Sequence, residues 1–146
     1  MAKTLSKRYS GVLAHPTSFP SPYGIGDFGK GAYDFINFLT GAGQSLWQIL
    51  PLGHTGYGDS PYQSFSTFAG NPYFIDLETL TREGLLEDDI CTQADFGNNP
   101  NQIDYGKLYQ NRFHILKIAY EHAKERQILN SSDFIKEIRK EVEAAL

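Results

Sequence analysis

An α/β fold is the expectation for this chain. It rests on a strand–helix–strand succession near the N-terminus, on loops of unusual length at the strand ends, and on a change of composition halfway along. Gly11-Val12-Leu13-Ala14 is a short apolar run closed by His15-Pro16, the pattern of a buried strand. A loop containing Pro16, Pro20, Pro22, Gly24 and Gly26 follows. Asp27 is then placed to cap a helix whose apolar stripe is Phe28, Ala32, Phe35, Ile36 and Leu39, with Gly41 or Gly43 as its stop. Leu46-Trp47-Gln48-Ile49-Leu50 reads as a second strand stopped by Pro51. Strand, helix and strand over so short a stretch make a βαβ unit, hence two parallel strands with a right-handed crossover.

After the second strand a long loop runs from Leu52 to Pro72, and Tyr73-Phe74-Ile75 reads as a short extended piece. Leu77–Glu83 suits a single helical turn ended by Gly84, and residues 91–103 read as irregular and polar. Asp104 is placed to cap a helix reaching about Lys124, with Leu108, Ile115, Leu116, Ala119, Tyr120 and Ala123 as its stripe. Ser132 or Asp133 begins a last helix with Phe134, Ile135, Ile138, Val142 and Leu146 on one side. That pattern runs to Leu146 with no glycine, asparagine or proline stop, as in a truncated sequence.

The 146 residues, 40% hydrophobic and 21% charged, are enough for one ordinary domain with its own core. Fourteen of the 20 aromatic residues but only eight of the 30 charges fall in residues 1–76. Residues 8–76 are therefore expected to hold the βαβ unit and a functional loop, and residues 77–146 to be mostly helical. A net charge of −4 argues against a nucleic-acid or anionic-membrane partner. The single Cys91 excludes a disulfide framework. No apolar run approaches the roughly 18–20 residues of a membrane span. The opening Met1–Ser10 has no apolar segment of a secretory signal behind it, so a cytoplasmic location is expected.

Two glycine patterns invite functional readings that their surroundings reject. Gly24-Ile25-Gly26-Asp27-Phe28-Gly29 matches the dinucleotide fingerprint, but a proline-rich loop separates it from the first strand and the second strand ends in Pro51-Leu52-Gly53 with no acid. Gly24 to Lys30 also resembles a phosphate loop, yet Gly31 stands where its magnesium-binding hydroxyl belongs. His15, His54, His114 and His122 show no metal-ligand spacing with one another or with Cys91, so no metal site is expected.

The informative stretch is the loop Pro51–Tyr73. It far exceeds the two to six residues usual for a βα connection. Rings alternate in it with small hydroxyl and amide side chains, and Asp59 is its one acid. On a parallel α/β scaffold it leaves the C-terminal end of a strand, where such folds build their sites. The chemistry suits a sugar: aromatic faces cover the C–H face of a pyranose, while Asp, Ser and Gln meet its hydroxyl rim. The same composition also suits a self-packed loop core.

Four runs in this region resemble the amylomaltases, the 4-α-glucanotransferase (disproportionating enzyme) family. They are Ser10–Asp27, Gly43–Gly53, Thr55–Ser66 and Ala69–Leu77, in family order. The resemblance implies a (β/α)8 TIM barrel, here only its N-terminal part and therefore incomplete, with residues 77–146 as an inserted helical subdomain. It implies transfer of α-1,4-glucan segments between malto-oligosaccharides by retaining double displacement, without a cofactor. By the same resemblance Tyr57 stacks on a glucan and Tyr62 lines the cleft near the reacting sugars. Asp59 and Ser60 face sugar hydroxyls or hold the loop, and Gln63 binds or braces it. The family's catalytic carboxylates match none of Asp27, Asp34, Asp59 or Asp76 and are expected beyond Leu146. A non-catalytic α-glucan-binding module is the alternative.

Overall fold

The computed structural model describes residues 8–56, 58–64, 66, 69–99 and 101–127. Strands β1 (Gly11–Leu13) and β2 (Leu46–Gln48) pair in parallel, with Val12 opposite Trp47. The Ala14 amide donates to the Gln48 carbonyl at 3.0 Å, carrying the ladder one step further. β2 stops at Gln48, two residues short of the expected Leu50.

Helix α1 (Lys30–Gly41) joins the strands. It ends as its glycines predict. Gly43 takes a left-handed φ of +68°, the Gln44 amide donates to Leu39 O at 2.9 Å, and the Gly43 amide to Thr40 O at 3.1 Å. This is a Schellman stop. Its start corrects the sequence reading: the N-cap is Gly29, with no side-chain cap. Asp27 instead accepts from the Gly29 amide at 2.9 Å through Oδ1 and pairs through Oδ2 with Arg112 Nη2 at 3.2 Å. Asp27 is buried, and a buried carboxylate needs a counter-charge more than a helix end needs a cap.

The expected α1 stripe is only partly inward. Ala32 and Leu39 are buried, and Phe35 lies between Phe19 (5.0 Å between centroids) and Trp47 (5.5 Å). Phe28 and Ile36 remain exposed, as does Phe38. Trp47 Nε1 donates to Ala14 O at 2.7 Å, which fixes the indole across the sheet.

Tyr73-Phe74-Ile75, expected as a short extended piece, instead falls largely in a 3₁₀ turn over Pro72–Phe74. Pro72 occupies its first position and the Asn71 side chain caps it by accepting from the Tyr73 amide at 3.0 Å. Helix α2 (Leu77–Arg82) is capped by Asp76, whose oxygens accept from the Glu78 and Thr79 amides, both at 3.2 Å. Helix α3 (Asp88–Gln93) falls partly in the region expected to be irregular. It is held by tertiary contact, since Cys91 is buried and Ile90 packs against the core. Asp104 caps α4 (Tyr105–Lys107) by accepting from the Lys107 amide at 3.1 Å. A π-helical turn, Leu108–Arg112, then leads into α5 (Phe113–Glu125).

The core lies between α2, α3 and the α4–α5 rod. Leu77, Leu85, Leu86, Cys91, Phe96, Leu108, Ile115, Ala119 and Ala123 form it, joined by Ile25 and Tyr73 from the first half. The expected stripe holds except at Tyr120, which is exposed. Five residues on from Ile115, it lies about 140° round the helix from the buried line. The glycine patterns serve packing: Gly24 has φ +77°, and a Cβ on Gly26 would sit 2.1 Å from Pro16 O. The expected helix from Ser132 or Asp133 lies outside the described residues.

Candidate functional site

Both parallel strands point their C-terminal ends at one place. His15 follows β1 there, and Leu50 and Pro51 follow β2. The long loop folds back over these ends, with antiparallel bridges pairing Gly53 with Gly70 and Thr55 with Ser64. A Cβ on Gly53 would lie 2.1 Å from Ser64 Oγ, so the crossing needs glycine. Asn71 clips the two arms together, its Nδ2 donating to Gly53 O at 3.3 Å.

At the loop tip the Asp59 amide donates to Gly56 O at 3.1 Å. Gly58 (φ +94°) and Asp59 (φ +51°) take left-handed conformations. Aspartate tolerates that region better than most side chains. The turn delivers Asp59 to a cavity of about 180 Å³ at the strand ends. Its polar lining includes His15, Thr55, Asp59, Asn71, Tyr73 and Tyr105, with Thr17 and Ser18 beside them, over an apolar floor that includes Ile25, Leu50 and Pro51.

Ring contacts hold the tyrosines in place. Tyr73 meets Phe113 edge-on at 5.6 Å and Tyr105 at 6.0 Å. Burial, and after it the Asp59 charge, raises both phenol pKa values above the usual range. Both hydroxyls are therefore protonated donors at neutral pH. Burial lowers the pKa of His15 below 6.5, so its imidazole is neutral under the same conditions.

Arg112, with 0% of its side chain exposed, ties this site to the helical core. Its Nη2 donates to Asp27 Oδ2, to Tyr73 O at 3.1 Å and to Ile75 O at 2.5 Å. Burial holds the Asp27 pKa above the ordinary aspartate value, although the Gly29 amide and the Arg112 charge offset part of the rise.

The residues expected from the sequence separate here. Asp59 lines the cavity. Ser60 Oγ accepts from the Tyr62 amide at 3.4 Å, a turn-holding contact. Tyr62 is 73% exposed and stands outside the cavity lining. Gln63 is exposed, with Oε1 3.8 Å from where a Cβ on Gly58 would be, beside the loop tip. Tyr57 lies outside the described residues. His15, Asn71, Tyr73 and Tyr105 were not singled out as ligands. Asn71-Pro72 was a legible cap signal, but Tyr105 reaches the cavity only through tertiary packing. Among the described residues no group of three or more His, Cys, Asp or Glu could hold a metal ion. No described helix is long and apolar enough to cross a membrane. Cys91 is buried, and burial raises its thiol pKa away from reactivity.

Residues 14–145 match the glycoside hydrolase family 77 model, described as 4-alpha-glucanotransferase. The chain belongs to that family. It is 55% identical over 115 residues to the 4-alpha-glucanotransferase of a Streptococcus pneumoniae serotype 4 strain, covering 79% of this chain and 23% of that one. It is 48% identical over 126 residues to the 4-alpha-glucanotransferase of Clostridium butyricum, covering 86% and 26%. A solved amylomaltase from Streptococcus agalactiae, in complex with acarbose, superposes with a TM-score of 0.83 at 45% identity, over 91% of this chain and 27% of that one. The chain thus spans about a quarter of the length of these 4-alpha-glucanotransferases. Its α/β arrangement is shared with the amylomaltase over most of its own length.

Proposed function

We propose that this chain forms one wall of the glucan cleft of a 4-α-glucanotransferase, acting on malto-oligosaccharides and α-1,4-glucans in the cytoplasm. In this reading β1–α1–β2 opens a (β/α)8 barrel and residues 77–146 are a helical insertion into it. The observation that carries the reading is the convergence of Asp59 with two protonated tyrosines at the C-terminal ends of parallel strands. Parallel α/β folds place their sites there. Membership of the 4-alpha-glucanotransferase family names the chemistry.

The division of labour follows from proton and charge counting. Asp59, an acceptor only when ionised, takes sugar O–H groups, and the tyrosine hydroxyls donate to sugar oxygens. Tyr57 and Tyr62 supply ring faces for the apolar side of the glucan, with Ser60 and Gln63 bracing the turn that carries them. Retaining transfer needs a carboxylate nucleophile and a second carboxyl acid/base about 5–5.5 Å apart. Asp59 is the one carboxylate among the described lining residues of the cavity. The displacement chemistry is therefore assigned to acids in the parts of the family enzymes that this chain does not match, and it calls for no cofactor.

Calorimetric titration of the chain with maltoheptaose is expected to show saturable binding that Asp59→Asn weakens, and no turnover of maltotriose. Absence of binding would remove the reading. The single carboxylate also favours a second reading, a non-catalytic α-glucan-binding module. Mixing the chain with the unmatched portion of the Streptococcus pneumoniae relative separates the two. Restored disproportionation supports the transferase wall, and glucan binding without restoration supports the module.

A further inference from the structure

The geometry points to the His15 imidazole as a hydrogen-bonding ligand for a glucosyl hydroxyl in the strand-end cavity, a role that rests on the glucan-binding reading above. His15 is placed for this by rigid structure on each side. It follows Ala14, whose amide continues the β1–β2 ladder, and its carbonyl accepts from the Ser18 amide at 3.0 Å. Its ring stands edge-on to Phe74 at 5.5 Å. Phe74 belongs to the 3₁₀ turn that Asn71 caps and whose Tyr73 carbonyl Arg112 holds. The ring is thus oriented by packing before any ligand arrives.

His15 lines the cavity with Thr55, Asp59, Asn71, Tyr73 and Tyr105. Its Nδ1 is buried and has no hydrogen-bond partner among the described residues. A packing histidine normally has such a nitrogen satisfied by a protein group. A neutral imidazole presents one N–H donor and one acceptor nitrogen, and a sugar hydroxyl is itself donor and acceptor. Asp59 supplies acceptors only, so His15 adds a kind of contact that the carboxylate lacks. The cavity, at about 180 Å³, has room for about six waters' share of liquid volume, enough for ring hydroxyls to enter.

The test uses the whole 146-residue chain and maltoheptaose. His15→Phe keeps a ring against Phe74 but removes both nitrogens. His15→Asn removes the ring but keeps a polar atom near the Nδ1 position. The expected result is about a tenfold loss of affinity in His15→Phe, the worth of one neutral hydrogen bond, and a smaller loss in His15→Asn. In the unaltered chain, the His15 Nδ1 resonance should shift on saturation with maltoheptaose beyond the shifts of His114 and His122. Equal affinity in His15→Phe, or a His15 resonance that does not move, overturns the assignment while leaving the glucan reading intact. Failure of the unaltered chain to bind maltoheptaose overturns both. The resonance measurement decides the matter if either variant fails to fold.

Discussion

The helical residues 77–125 and the β1–α1–β2 unit treat their apolar side chains in opposite ways. In the first, Leu77, Leu108 and Ile115 are sealed among neighbours drawn from α2, α3 and α5. In the second, Leu13 is 57% exposed, Leu46 56% and Phe38 65%, and the two strands have only each other to pair with among the described residues. A helix satisfies its own backbone and needs only one covered stripe, so two short helices and a rod can close a core. A parallel strand needs a neighbour on each edge and cover on both faces. The contrast is that of a chain that spans about a quarter of its relatives' length. The cavity lies at the seam between the regions: His15 comes from the β1–α1–β2 unit, Tyr105 from the helical residues, and Asp59 from the loop that covers both.

Breaking the seam should cost most. Asp27→Leu leaves the Arg112 guanidinium buried without its counter-charge, and urea unfolding is expected to register a loss of about 3–5 kcal/mol. Adding Arg112→Leu should restore most of that loss, because replacing both ions with apolar side chains is often close to neutral. A double variant as unstable as the single would show that the carbonyl contacts of Arg112, and not the ion pair, join the two regions.

The contrast in burial is sharpened by a matched pair of truncations. Leu108→Ala in the helical core is expected to cost about 2–5 kcal/mol. Leu46→Ala on the open strand should change stability by less than about 0.5 kcal/mol. Similar values for the two would mean that β2 is covered in solution. Removing the α2 cap with Asp76→Ala is expected to cost about 1 kcal/mol by the same measurement.

The smallest effect is one of pH. The folded chain binds the His15 proton less readily than the unfolded chain does, since burial lowers the folded pKa below 6.5. Its contribution to stability is therefore complete above pH 6.5 and declines as pH falls from 6.5 to the lowered folded value. His15→Phe should flatten that part of the stability profile, and an unchanged slope would show that the imidazole titrates freely when folded.

Local signals carried far in the sequence, and long-range ones did not. Gly43 and Gly84 marked helix stops because a left-handed residue is required there. Asp104 marked a cap because its side chain reaches the Lys107 amide without tertiary help. The excess length of the Pro51–Tyr73 loop marked the site, and Asp59 within it reached the cavity. Asp27 misled because an aspartate before an apolar stripe has the pattern of a cap, while the charge it pairs with, Arg112, is 85 residues away. The π turn at Leu108–Arg112 has no signature in the periodicity, and α3 depends on burial of Cys91 and packing of Ile90. Tyr73-Phe74-Ile75 has the look of a short extended piece, yet Asn71-Pro72 before it is a 3₁₀ start. No spacing rule brings Tyr105 beside Asp59, since only the packed rod places it there.

The central claim, that the strand-end cavity and its covering loop grip an α-glucan, is tested most directly by mapping amide chemical-shift changes while maltoheptaose is added to the chain. The account predicts saturable changes at Thr55, Asp59, Asn71 and Tyr73, with α5 beyond Ala119 unaffected. Changes absent from those residues, or confined to the far end of α5, would contradict it.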